Sequence, residues 1–117
     1  MHAAGESISV MTTFDDREHA FEAKFAHDQD EEFRAAARRN RLLGLWAGAL
    51  MGLEQGHLED YARAVVKSEV VHHDDEDVLR KVFEDLKGAG VQITEGDVRM
   101  KMAELMAMAR EQIKSGA

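Results

Sequence analysis

The chain has 117 residues, with 15 basic against 23 acidic side chains and neither proline nor cysteine. This length predicts one small domain. The lack of cysteine excludes a disulfide framework, a zinc finger, an iron–sulfur site and a thiol nucleophile. A net charge of -8 argues against nucleic acid as a partner, because phosphate binding depends on clustered lysine and arginine. No apolar run reaches the roughly 20 residues that span a bilayer, so membrane insertion is not expected.

Strongly apolar residues are unevenly distributed along the chain. Leucine, isoleucine, valine and phenylalanine number 26 of the 117 residues. Their share of about 22% lies just above the roughly 20% below which a charged chain tends not to fold. Residues 1–32 contain 5 of them and residues 33–117 contain 21. We therefore expect a foldable body that follows an N-terminal third unable to bury enough surface to order itself.

Residues 14–27 are almost all charged or small, apart from three phenylalanines. At about 100° per residue, Phe14, Phe21 and Phe25 fall within an arc of about 40°. Such a narrow aromatic seam suits a groove on a partner. An isolated helix of about fourteen residues is marginal in water, so this segment is expected to be frayed or disordered when alone. In the alternative interpretation, the segment folds back and adds its phenylalanines to the core of the body.

The acidic run over residues 28–32 is expected to join this segment to the body. In an unbroken helix, Phe33 would lie about 100° away from the aromatic seam, so the two stretches do not share one face. From Phe33 onward the apolar residues recur at helical spacing, without a competing strand pattern. The first helix of the body is expected to end near Gly52 and Gly56, which favour a turn. Its predicted apolar stripe consists of Leu42, Leu43, Trp46, Ala49, Leu50 and Leu53.

Three further helices follow in the body. The second carries its apolar residues over 58–66 and ends near residues 72–75, where acidic side chains can cap the third helix. The third has apolar residues over 78–86 and ends at the glycines of residues 88–90. Thr94 and Asp97 resemble a capping box for the fourth helix. Four helices with short connections predict an all-α four-helix bundle with antiparallel neighbours. The predicted stripe of the fourth helix is Val98, Met102, Leu105, Met106, Ala109 and Ile113.

Two features of the body allow a packing or an interaction role. Trp46 is expected to anchor the core. Four methionines in the last helix favour gap-filling core packing, and the alternative is an adaptable interaction surface. They are Met100, Met102, Met106 and Met108.

The sequence contains two Glu-x-x-His pairs, the pattern that holds di-metal sites in some helical bundles. One pair begins at Glu54, beside the glycine turn, and the other begins at Glu69. The position of Glu54 beside helix breakers argues against a metal site, and the run over residues 72–75 is explained by helix capping. Phosphate-binding glycine loops, dinucleotide motifs and serine nucleophile motifs do not occur, so neither a catalytic residue nor a cofactor is assigned.

One basic cluster, Arg38-Arg39-Asn40-Arg41, stands out in the body. It fits a solvated helix face, and it fits a docking patch for an acidic partner equally well. The residues leave these two interpretations open.

Five runs of the sequence carry a resemblance to a known family: MTTFDDREHAFEAKFAHD, ARRNRLLGLWAGALMGL, YARAVVK, DEDVLRKVFEDL and RMKMAELMAMAREQI. The chain resembles the zeta subunit of alphaproteobacterial F-type ATP synthases over residues 11–115. The resemblance implies an inhibitor of ATP hydrolysis, not an enzyme, in the bacterial cytoplasm and bound to the inner membrane through the ATP synthase.

The resemblance also implies a mechanism and a division of the chain. The partner would be the catalytic head, with its α, β and central rotor subunits. The N-terminal segment would become helical and wedge into an αβ catalytic interface near the rotor. Residues 11–30 would form this inhibitory segment and residues 31–117 the four-helix bundle, while residues 1–10 depart from the family pattern and would be a flexible extension. The matching motif positions are Phe14, Asp15, Asp16, Arg17, Glu18, Phe21, Glu22, Lys24 and Phe25.

The positions of these residues around the helix axis lead to a hypothesis about their separate roles. The three phenylalanines would bury against the head, while Arg17 and Lys24 would pair with acidic side chains there. The alternative function, from a different class, is a helical bundle that binds a small ligand or nucleotide. In that alternative the N-terminus would merely complete the fold.

Overall fold

The computed structural model describes the backbone of residues 2–72 and 74–116, and the side chains of residues 22–69 and 74–116. Four helices make up most of this described part, which confirms the predicted all-α, four-helix fold. The chain divides into two compact units, residues 1–32 and residues 33–117. Among the residues described, no helix is long and apolar enough to cross a membrane. The helices are α1 (His2–Leu50), α2 (Gln55–His72), α3 (Asp75–Gly88) and α4 (Glu95–Lys114).

The acidic run over residues 28–32, which we expected to act as a joint, does not interrupt α1. No glycine lies between residues 6 and 43, and the chain has no proline, so the sequence contains no helix breaker at this place. His27 and Glu31 are one helical turn apart, and their side chains lie 2.7 Å from each other. Contacts at this spacing support a helix locally.

The turns between the helices of the second unit form where the glycines predicted them. After α1 the chain turns at Gly52, whose φ of 83° lies in the left-handed region that favours glycine. The amide of Leu53 then donates to the carbonyl oxygen of Gly48 at 2.9 Å. Gly90 adopts a similar φ of 82° after α3. Both helix ends therefore depend on a residue without a side chain.

Side chains cap α3 and α4 in the predicted manner. The Asp74 carboxylate accepts a hydrogen bond from the amide of Glu76 at 3.0 Å. Thr94 and Asp97 form a full capping box, because each side chain accepts from the backbone amide of the other residue at 3.1 Å. These contacts satisfy amides that have no partner inside the helix.

The core of the second unit draws on all four helices. The predicted stripes of α3 and α4 are largely confirmed, but the stripe of α1 is displaced. Leu43 and Ala47 are fully buried, whereas Leu50 is 45% exposed. The prediction from the large apolar residues alone placed the contact face of α1 wrongly, because glycines and alanines form part of that face. The buried apolar residues are Ala35, Leu43, Ala47, Ala62, Val65, Val78, Leu79, Val82, Leu86, Val98, Met102, Leu105 and Ala109.

Two glycines bring α1 close to α2. A Cβ atom on Gly44 would lie 2.6 Å from the Cα of Ala62. A Cβ atom on Gly48 would lie 2.6 Å from Cδ1 of Leu58. The Gly44 contact is with the backbone, so Gly44 limits the distance between these two helices, whereas the Gly48 contact is with the end of a flexible side chain.

Aromatic side chains pack at the edge of the core. Trp46 is half-buried against the core, and Nζ of Lys101 lies 5.7 Å from the centre of its ring. The hydroxyl of Tyr61 donates to Oδ2 of Asp85 at 2.8 Å. Burial, together with this acidic neighbour, raises the pKa of Tyr61 well above its ordinary value. Trp46 thus packs against the core as expected, at the edge of the core rather than inside it.

The methionines of α4 divide between the two proposed roles. Met102 is buried in the core and Met106 is half-buried. Met100 is 74% exposed and Met108 is 49% exposed, so core packing was the wrong interpretation for these two. Since Met102 shares a face with the buried Val98, the helical period turns Met100 away from the core.

Candidate functional site

The described side chains at residues 22–30 of α1 face solvent. Residues 22–30 are all exposed, and among them Phe25 keeps 56% of its surface accessible. More than half of the Phe25 surface is therefore open to solvent, while the side chains of Phe14 and Phe21 lie outside the described residues. A large apolar side chain on a charged helix outside the core is a candidate contact for another protein.

Only three of the nine predicted partner-binding side chains fall in the described part. Glu22, Lys24 and Phe25 are exposed on α1. For the other six, only the helical backbone is described and their side chains lie outside the described residues. The alignment of the three phenylalanines stays a prediction from helical geometry. The six positions are Phe14, Asp15, Asp16, Arg17, Glu18 and Phe21.

The two units differ in charge. Residues 1–32 contain nine acidic and two basic side chains, whereas residues 33–117 contain 14 acidic and 13 basic ones. Nearly the whole net charge of -8 thus belongs to the first unit. The first unit is therefore strongly acidic in composition, and the second is close to neutral.

The basic cluster at residues 38–41 is neither a uniform solvated face nor a single docking patch. Arg39 is only 4% exposed and Asn40 only 1% exposed. Arg39 donates from Nη1 and Nη2 to the two oxygens of Asp75 at 3.2 and 2.9 Å, and from Nη2 to Oε2 of Glu69 at 3.2 Å. Asn40 accepts from Nε of Arg39 at 3.0 Å and donates to Glu69. Two residues of the cluster therefore tie α1 to α2 and α3 inside the body.

The two carboxylates on Arg39 have opposite pKa shifts. Hydrogen bonds from Arg39 lower the pKa of Asp75 below its ordinary value. Burial raises the pKa of Glu69, and the neighbouring Asp75 carboxyl raises it further, against the opposing effect of Asn40 and Arg39. The Arg39 guanidinium thus donates hydrogen bonds to two carboxylates, and the ionised form is favoured more strongly at Asp75 than at Glu69.

The candidate di-metal ligands do not come together. Glu69 is occupied by Arg39 and Asn40, and Glu54 and His57 are exposed at the turn between α1 and α2. The side chain of His72 lies outside the described residues. Among the side chains that the structure describes, no group of three His, Cys, Asp or Glu residues is placed to hold a metal ion.

Arg41, the last residue of the basic cluster, faces an open groove beside α2 with a volume of about 500 Å³. Its guanidinium makes two hydrogen bonds to the carboxylate of Glu59, at 2.9 and 3.1 Å. Sequence reasoning missed this groove, because its basic side chains come from two helices. The spacing of four residues between Arg63 and Lys67 was the available signal. The groove is lined by Arg41, Asp60, Arg63, Ala64, Val66 and Lys67.

Comparison with known families decides the identity of this arrangement. The family model described as ATPase inhibitor subunit zeta matches residues 11–112. The chain belongs to the ATPase inhibitor subunit zeta family. The match covers the exposed part of α1 at residues 22–30, as well as most of the four-helix body, so both units of the zeta chain contribute to the family pattern.

The chain is also similar to a solved structure. The zeta chain is similar to a protein whose solution NMR structure is known, with 38% sequence identity and a TM-score of 0.59. The similarity covers 74% of this chain and 98% of that protein. No protein of curated function matches the chain.

Proposed function

We propose that this zeta-family protein inhibits ATP hydrolysis by an F-type ATP synthase, and that residues 11–30 form the inhibitory segment. The segment would enter an αβ catalytic interface of the head near the central rotor. A helix wedged there would block the rotation that accompanies hydrolysis. Residues 31–117 would form the body that presents the segment, and residues 1–10 would be an extension outside the inhibitory contact.

The observation that carries this proposal is the exposure of Phe25, at 56%, within a stretch of α1, residues 22–30, whose side chains are all exposed. Burying a phenylalanine against a partner contributes roughly 1.5–3 kcal/mol. With Phe14 and Phe21 on the same face, the segment would have three anchors at intervals of one and two turns. Ordering an otherwise frayed helix costs free energy, which these anchors would offset.

Charge further defines the surface that would receive the segment. Residues 11–32 contain eight acidic and two basic side chains, so the receiving groove would need positive charge around an apolar floor. Arg17 and Lys24 would pair with acidic side chains of the head. The protein would lie in the bacterial cytoplasm, attached to the inner membrane only through the ATP synthase.

Two truncations test the proposal. Removal of residues 1–28 should abolish inhibition of the membrane ATPase and leave the helical circular dichroism of the body, because the core lies within residues 33–117. Removal of residues 1–10 is the control and should preserve inhibition. Inhibition retained after the longer truncation, or collapse of the body, would contradict the assigned roles.

A further inference from the structure

The groove between α1 and α2 is bordered by three basic side chains, of which Arg41 is held by Glu59 and the other two, Arg63 and Lys67, are weakly neutralised or unpaired in the described part of the chain. Arg63 contacts Asp60 through a single exposed pair at 3.3 Å, in which both side chains are more than 70% exposed. Such exposed pairs hold a charge weakly. Lys67 forms no ion pair within the described part of the chain. The helix dipole interacts with cations in the last turn of a helix, and Lys67 lies before the last turn of α2, so the dipole does not offset its charge.

The groove combines this charge with an apolar floor. Ala64 and Val66 line it beside the methylene stems of the basic side chains. Arg63 and Lys67 are one helical turn apart, so their Cβ atoms are about 6 Å apart along α2. Carboxylates one turn apart on a partner helix have the same spacing. The shape and the charge therefore match an acidic amphipathic helix.

We propose that this α1–α2 groove is a second docking surface, which binds an acidic helix of the ATPase head and holds the body in place. The proposal rests on the proposed function, because it takes the head as the partner. It assigns different tasks to the two units: the acidic N-terminal helix blocks the enzyme, and the basic groove anchors the body. A membrane fits less well, because the basic side chains border a concave groove that also contains Asp60, so a flat anionic surface would contact only its rim.

Charge reversal in the full-length protein tests the groove. The groove variant combines Arg63→Glu with Lys67→Glu, and the control combines Lys87→Glu with Lys114→Glu, which changes the net charge equally outside the groove. Binding to the isolated head and inhibition of its hydrolysis are measured for each. The groove variant should bind about tenfold more weakly, chiefly through slower association, and the control should stay within about twofold of the original protein. Circular dichroism verifies that both variants are folded.

A zero-length carbodiimide cross-link, which joins an amine to a carboxylate, identifies the chemistry of the partner. Lys67 of the bound protein should become linked to an Asp or Glu of a head subunit. Lys67→Arg keeps the charge and should bind normally without forming this link. A link to the head that never involves Lys67 would overturn the proposal, and this variant does not depend on the folding of the charge-reversed proteins.

The outcomes separate the two proposals. Inhibition by the original protein together with unchanged binding of the groove variant refutes the groove alone. No inhibition by the original protein refutes the proposed function, and the docking partner with it. Groove-dependent binding to vesicles that contain one-third phosphatidylglycerol would assign the surface to a membrane instead. A groove-dependent dimer in analytical ultracentrifugation would assign it to a second copy of the chain, and either result would overturn the proposal.

Discussion

Replacing Gly44 with alanine should destabilise the body by forcing α1 away from α2. The added Cβ would lie 2.6 Å from the Cα of Ala62, which is a backbone atom and has no rotamer that avoids the clash. Overpacking of this kind costs about 1–3 kcal/mol. Alanine is a better helix former than glycine by roughly 1 kcal/mol, which offsets part of the cost. We expect a net loss of about 0–2 kcal/mol in the free energy of unfolding.

Gly48→Ala is the matched control on the same helix. Its Cβ would also lie 2.6 Å from the nearest atom, but that atom is Cδ1 of Leu58, the end of a flexible side chain. A rotation of Leu58 relieves the contact, so the propensity gain of up to about 1 kcal/mol should largely persist. The two glycine variants are therefore expected to shift stability in opposite directions, although their nearest contacts are equally short.

Urea and thermal unfolding, followed by circular dichroism and by the fluorescence of the single tryptophan, measure both variants. For a body of this size, 1 kcal/mol corresponds to a change of about 4–8 °C in Tm. A Gly44→Ala protein as stable as Gly48→Ala would refute the close backbone approach of α1 and α2.

Two further predictions concern titratable groups. The pKa of Asp75 is lowered in the fold, so its ionised form stabilises the protein above its ordinary pKa of 3.8, and this stabilisation is lost at lower pH. The pKa of Glu69 is raised in the fold, so stability falls as the pH rises above its ordinary pKa of 4.5. The free energy of unfolding, measured with urea from about pH 3 to 7, should lose less at acid pH in Asp75→Asn and should no longer fall with rising pH in Glu69→Gln. Unchanged pH profiles in both variants would contradict the sharing of the Arg39 guanidinium by these two carboxylates. Tyr61 is the only tyrosine, and its raised pKa predicts little phenolate absorbance at pH about 10 in the folded protein. Half-ionisation at that pH would contradict its burial beside Asp85, and the urea-unfolded chain provides the reference.

The helix ends were predictable because they depend on local chemistry. Gly52 and Gly90 adopt a backbone conformation that disfavours other residues, and Thr94 caps a helix through a contact three residues away. The core face of α1 was predicted less well, since the apolar pattern gives no weight to Gly44 or Gly48. Their importance arises only when a second helix approaches.

The basic cluster shows the same limit. Neighbouring residues in the sequence point in different directions on a helix, so Arg39 enters the body while Arg41 reaches a groove beside α2. Which cations become buried depends on the acids that α2 and α3 place beside α1. The groove itself has no signature in any single stretch, because Arg41 and Lys67 meet only after folding.

Two exposed phenylalanines on α1 provide the decisive comparison for the inhibitory segment. Phe25 is 56% exposed and Phe33 is 70% exposed, so alanine at either position should leave the stability of the body nearly unchanged. Phe25 lies on the predicted seam with Phe14 and Phe21, whereas Phe33 is about 100° away from it. The measurement is the concentration of each variant that half-inhibits ATP hydrolysis by the isolated head. Phe25→Ala should raise it about 30-fold, corresponding to about 2 kcal/mol, and Phe33→Ala should not change it. Equal effects of the two substitutions, or none from Phe25→Ala, would contradict inhibition through the aromatic seam.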